Sequence, residues 1–279
     1  MFIYALTRTV AEANGYEWGF NPFPEFDYHQ GKPQMAFMEI DYGIENNYSY
    51  YDLPESSEGF KNVRHELYNE YVFENGKTGR NYYYDPSLFS IPDYTKLYID
   101  CGQDARYYDK EKLKQWFRIK EENKGVYMAT LREWGVDISS ENTCVINIRG
   151  GEYKGISELI LPYAYWQNAI YLTLNRNPKM RFIAISDDIQ YANQVLDFKI
   201  PVAHMSIGGD YYIINKAKNL ILSNSSFAIL PTWLNENNPF VIAPRYWARY
   251  NVSNKYWISS DIWTFGWKFL GRDGKLYDR

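Results

Sequence analysis

A chain of 279 residues leaves room for about two domains at about 150 residues each, with a core that needs no disulfide or metal staple. Hydrophobic residues at 46% and charged residues at 23% exclude wholesale disorder, and 30 basic against 34 acidic residues argue against nucleic acid as the main partner. Two cysteines, Cys101 and Cys144, exclude a disulfide framework and a cysteine-based zinc site, and point to a reducing, cytoplasmic setting.

The first fifteen residues space Leu6, Val10 and Ala13 on one helical face, which predicts a helix closed by Gly15. They carry neither the basic region nor the cleavage site of a signal peptide, and no later run approaches the about 18 apolar residues of a membrane-spanning helix. Residues 16 to about 60 read as short strands and polar loops, with Met35–Ile40 as a strand. The stretch to residue 100 is rich in tyrosine and predicts one strand, Lys96–Asp100. Tyr108–Glu122 predicts a single helix with Leu113, Trp116 and Phe117 turned inward. Trp134-Gly135 and the polar residues 139–142 mark a boundary between a smaller, irregular α/β domain (1–140) and a second domain (141–279).

From Thr143 the pattern changes. Apolar strands at 144–148, 181–185, 202–204, 219–222 and 240–243 alternate with helices at 162–176, 189–196, 210–217 and after Asn224. Alternation of this kind predicts a doubly wound parallel sheet, whose ligands bind at the carboxyl ends of the strands. Three of those ends carry chemistry. Asn147-Ile-Arg149-Gly150-Gly151 offers a guanidinium and backbone N–H groups to an anion. Asp187-Asp188 offers carboxylates to a ribose hydroxyl or to guanine N–H donors, or simply caps a helix. Ser225-Ser226 places hydroxyls at the positive end of a helix. Singly these are ordinary turns and caps; as an ordered set they outline a nucleoside-diphosphate pocket. The nearest approach to a metal-binding Asp-x-Asp is Glu39-Ile-Asp41, which reads as part of an alternating strand. The aromatic share of 19%, with 28 Tyr, fits either a sugar-facing surface or a bias of composition.

These segments resemble the α-1,2-fucosyltransferases of glycosyltransferase family 11, relatives of the α-1,6-fucosyltransferases. The family's His-x-Arg-Arg-Gly-Asp-Tyr stands here as Asn147 to Tyr153. Its Leu-x-x-x-Tyr-Tyr-x-x-Ala-Ile stands as Leu161-Pro-Tyr-Ala-Tyr-Trp-Gln-Asn-Ala-Ile170, and its Phe-Ser-Asp-Asp as Ile185-Ser-Asp-Asp188. The segment closing on Asn-Ser-Ser-Phe runs from Asp210 to Phe227 and is the most specific part. Trp233–Asn237, Val241–Arg245, Tyr84–Pro92 and Gly102–Tyr108 extend the likeness. Three motif positions depart: the histidine is Asn147, the second arginine is Gly150, and the aspartate is Glu152. Members also carry a strand and a Gly-Gly-Leu-Gly-Asn-Gln loop before the segment that corresponds to Met1-Phe2-Ile-Tyr-Ala5. The chain therefore reads as a fragment or as a member without that strand.

The resemblance implies a GT-B-like fold with the donor domain after residue 140 and the acceptor side before it. It implies inverting transfer of L-fucose from GDP-fucose to a hydroxyl of an oligosaccharide acceptor, the 2-OH of a galactoside, with no metal and no further cofactor. Arg149 is then the catalytic cation at the β-phosphate. Asn147, Asp187 and Asp188 hold the guanosine side, Gly151 lies in the donor-binding turn, Ser225 and Ser226 meet the phosphates, and Lys154 substitutes for the missing arginine. Glu152 and Glu158 are the nearest carboxylates to serve as base, while His29, His65 and His204 match no motif and read as surface or packed side chains. Two other readings stay open: a degenerate, non-catalytic member that binds a GDP-sugar or glycan, and a carbohydrate-binding module that takes no nucleotide.

Overall fold

In a computed structural model that describes residues 1–19, 28–29, 32–33, 35–44, 60–72, 78–155, 159–196, 199–245, 264 and 266–277, the chain divides after Arg118 into two units. The first begins with helix α1 (Phe2–Asn14), which buries Tyr4, Leu6 and Val10 and ends at Gly15 with φ 70°. Its other elements are short. Strands β1 (Tyr28–His29) and β2 (Lys32–Pro33) form a two-residue antiparallel pair. Strand β3 (Asn62–His65) precedes a hairpin of β4 (Tyr68–Val72) and β5 (Thr78–Tyr82), and pairs in parallel with β6 (Thr95–Tyr98). Helix α2 (Lys110–Trp116) starts where the Asp109 carboxylate accepts the N–H groups of Glu111 and Lys112. Leu6, Val10, Leu88 and Tyr107 form a small core here, walled by Tyr84, Phe89 and Ile91.

Two expectations for this region are corrected. Met35–Ile40 is a turn, not a strand: the Met38 N–H bonds the Met35 carbonyl at 2.9 Å, and Met35, Phe37 and Met38 are buried. Its apolar spacing reflects the burial of these three side chains, not an extended strand. The helix expected over 108–122 stops at Trp116, because Phe117 leaves helical geometry and both Phe117 and Ile119 are buried. A separate helix, α3 (Glu121–Glu133), then opens the second unit. It lies before the expected boundary near residue 140, yet it groups with the second unit, its Tyr127 ring 5.6 Å from that of Tyr212.

The second unit is built on strand β7 (Thr143–Ile148), five of whose six residues are buried. Helix α4 (Tyr163–Arg176), β8 (Arg181–Ser186), α5 (Ile189–Val195), β9 (Val202–Ala203) and α6 (Ile207–Lys216) follow. Then come β10 (Asn219–Ile221), α7 (Ser226–Trp233), β11 (Phe240–Pro244), β12 (Lys268–Leu270) and β13 (Leu276–Tyr277). The strand order is β9-β8-β7-β10-β11-β12-β13, parallel except for β13. Counted along the chain, the six parallel strands lie 3-2-1-4-5-6, the doubly wound order expected from alternating β and α segments. Cys144, Ile146, Ile148, Tyr165, Ala169, Ile221, Ile242 and Leu270 fill the core. Each fully buried aliphatic contributes about 1.5–3 kcal/mol. An exposed pair such as Lys218–Glu141 contributes about 1 kcal/mol or less, so burial sets the stability of this unit.

The winding reverses between β7 and β10, which opens a crevice at their carboxyl ends. Tyr165 stiffens that edge from below by donating its hydroxyl to the Leu222 carbonyl at 2.6 Å.

Candidate functional site at the carboxyl ends of the sheet

Asn147 and Ser223 tie the two sides of the crevice together. The Ser223 hydroxyl donates to Asn147 Oδ1 at 2.8 Å, and the Ser223 N–H to the Asn147 carbonyl at 3.0 Å. Asn147 is buried, so the oxygen of its amide serves the sheet.

Beyond β7 the chain turns through a 3-10 segment, Gly151–Gly155. Arg149 lies at its entrance, about one-third exposed, with Nη1 2.7 Å from Asp187 Oδ2 and Nη2 3.8 Å from Glu152 Oε1. The guanidinium also stands 5.5 Å from the Tyr153 ring, whose phenol is pushed up by burial. The Gly150 N–H donates to Asp187 Oδ1 at 2.8 Å. Asp188 caps α5 by accepting the Tyr191 N–H at 2.9 Å and closes an ion pair with Lys154. That lysine, followed by the cap, holds its carboxyl below the usual range. Arg149, Gly151, Lys154, Asp187 and Asp188 thus lie together at these strand ends.

Gly150 explains its own departure from the resembled motif. A Cβ there would lie 2.5 Å from Asp188 Cβ and 3.0 Å from Tyr191 Cδ1, so the start of α5 leaves no space for a second arginine. Gly150→Ala is accordingly expected to lose about 1–3 kcal/mol by overpacking, measured by urea unfolding.

On the other side of the crevice, Ser225 is the buried N-cap residue of α7 and Ser226 its first residue. The Ser225 side chain makes no capping hydrogen bond, so the positive end of this helix is marked by backbone N–H groups. Asn224 is structural, its amide donating to the Leu159 carbonyl at 3.0 Å. Glu158 lies outside the described residues.

One pair escaped the sequence reading. His204, just past β9, places Nδ1 2.7 Å from Asp210 Oδ2, while Asp210 Oδ1 accepts the Met205 N–H at 3.1 Å. Burial pushes the Asp210 carboxyl up against the pull of His204, and the nearby Asp187 charge adds to the rise. Among the described residues no group of three or more His, Cys, Asp or Glu is placed to hold a metal ion, and no helix is long and apolar enough to cross a membrane. A cavity of about 710 Å³ lies at the amino ends of β7 and β8, lined by Asp137, Asn142, Lys179 and Arg181 among others. It contains none of the residues above.

No family model matches the chain. It is 25% identical over 205 residues to the O-antigen biosynthesis glycosyltransferase WbnK of Escherichia coli, covering 66% of this chain and 67% of that one. The sequence likeness is thus to a glycosyltransferase. Similar solved structures include POFUT1 in complex with GDP, at 8% identity and a TM-score of 0.37, covering 57% of this chain and 55% of that one. Escherichia coli ADP-heptose LPS heptosyltransferase II matches at 11% and 0.35, covering 55% and 44%. A family 9 glycosyl transferase from Veillonella parvula matches at 15% and 0.38, covering 64% and 52%. The chain spans about half the length of these solved structures.

Proposed function

We propose that the chain is a GT-B-like glycosyltransferase whose second unit binds GDP-fucose at the carboxyl ends of β7 and β10. It transfers L-fucose with inversion to a hydroxyl of an oligosaccharide, the 2-OH of a galactoside, without a metal. The reaction runs in the cytoplasm, where Cys101 and Cys144 persist as free, buried thiols.

The observation that carries this reading is the placement of Arg149 and the α7 N-terminus at the ends of β7 and β10, the two strands between which the sheet reverses. The glycosyltransferase likeness over 205 residues supports it. As the bond to the sugar breaks, negative charge grows on the β-phosphate. A fixed guanidinium and helix-end N–H groups stabilise that charge, the role a divalent cation plays elsewhere. Lys154 adds a second positive charge to the same turn. Glu152 faces Arg149 across 3.8 Å and is more than half exposed. The transition state carries oxocarbenium character, so little assistance from a base is required.

A second reading, binding of a GDP-sugar without turnover, is favoured by Gly150, which removes one cation from the motif, and by the engaged side chain of Asn147. Incubation with GDP-fucose and lactose separates the two. Acceptor-dependent release of GDP is the expected result. Binding of GDP without release assigns the chain to the second reading.

A further inference from the structure

The N–H groups and cations that follow β7 are aimed, in sequence terms, at a bound phosphate. In the structure they converge on carboxylates of the chain itself. Asp187 accepts the Gly150 N–H with Oδ1 and pairs with Arg149 Nη1 through Oδ2. Asp188 pairs with Lys154 and caps α5. A Cβ on residue 151, whose φ is +43°, would lie 2.6 Å from Asp187 Oδ2. Three successive residues are thus shaped around one carboxylate, and both of its oxygens are engaged.

We infer that Asp187 is a positioning residue that orients Arg149 and the Gly150–Gly151 turn toward the diphosphate end of the donor and makes no contact with guanine or ribose. This rests on the proposed donor site and deepens it, reassigning a residue whose type and strand-end position suggest a nucleoside ligand. Arginine has five N–H donors in a rigid fork. Asp187 holds Nη1, and Nη2 stands 3.8 Å from the exposed Glu152, so the anchored fork keeps N–H donors to turn toward a phosphate. Ordering one long side chain before binding is worth about threefold to tenfold in affinity. Loss of the Asp187 charge acts in the opposite direction, and salt at about 0.5 M diminishes that part.

The test titrates GDP, pyrophosphate and guanosine separately into the full chain and into D187N at that salt. The Asn side chain keeps an acceptor for the Gly150 N–H. Expected is a threefold to tenfold weakening shared by GDP and pyrophosphate, with guanosine binding unchanged. Weakened guanosine binding overturns the inference in favour of a nucleoside contact; unchanged or tighter pyrophosphate binding also overturns it. A wild type that binds none of the three refutes the donor site itself. The orienting role is then judged in the ligand-free protein, where the Gly150 amide of D187A should exchange at least tenfold faster than in wild type, and equal rates refute it. Should neither variant fold, the wild-type Asp187 carboxyl carbon resonance decides: guanosine leaves it unmoved if the inference holds and moves it if the carboxylate touches the nucleoside.

Discussion

Arg149→Ala is expected to lower acceptor-dependent release of GDP from GDP-fucose by about 10²–10³-fold, the usual effect of deleting one group that stabilises transition-state charge. The fold should survive. Arg149 is about one-third exposed, and its pair with Asp187 is partly screened by solvent, so the cost in stability is about 1 kcal/mol or less. Arg149→Lys keeps the charge but loses the planar fork held by Asp187, so its activity should fall between wild type and alanine. A kinetic titration of all three proteins, with melting curves alongside, checks the order. An alanine variant within tenfold of wild type removes Arg149 from the proposed chemistry.

Glu66→Ala is expected to produce the largest loss of stability, and it does so away from the proposed chemistry. Glu66 is only 2% exposed and accepts three successive backbone N–H groups: Asp100 at 3.1 Å, Cys101 at 2.7 Å and Gly102 at 2.9 Å. Each donor left buried without an acceptor costs about 1–3 kcal/mol, and water recovers part of that. A loss of about 3 kcal/mol in urea unfolding is the expected result, and a change under about 1 kcal/mol would contradict it.

The same carboxylate should leave a mark on the pH dependence. Burial pushes the Glu66 carboxyl above its usual value, against the pull of the three N–H donors. A raised folded-state pKa means that the folded protein binds the proton more tightly than the unfolded chain. The contribution is therefore greatest below about pH 4.5 and declines as pH rises through the folded-state value. Glu66→Gln lacks a titrating group and should lack this slope when the two proteins are unfolded across that interval.

The sheet was legible because β7, β8 and β11 are covered on both faces and so appear as short continuous apolar runs bounded by turns. The first unit was less so. Its described strands run to five residues at most and join only in pairs, and Met35–Ile40 carries strand-like apolar spacing inside a turn. Helix α3 was missed because it buries only Tyr127 and Leu131 behind a charged face, too weak a stripe to stand out. In the site, neighbours were readable but contacts were not. Strand-end position brings Arg149 and Asp187 together, yet nothing in the spacing says that the carboxylate meets the arginine. His204 and Asp210 are joined across a β–α turn for which no spacing rule exists. Glu66 meets its three donors from 34 to 36 positions away, and only the folded chain shows it.

The central claim is that the crevice between the ends of β7 and β10 is a nucleoside-diphosphate site, and calorimetric titration of GDP into the wild-type chain tests it most directly. Saturable binding of one GDP per chain, weakened in Arg149→Ala, is the predicted result. An absence of heat together with an unchanged melting temperature would contradict the claim and leave a protein that takes no nucleotide.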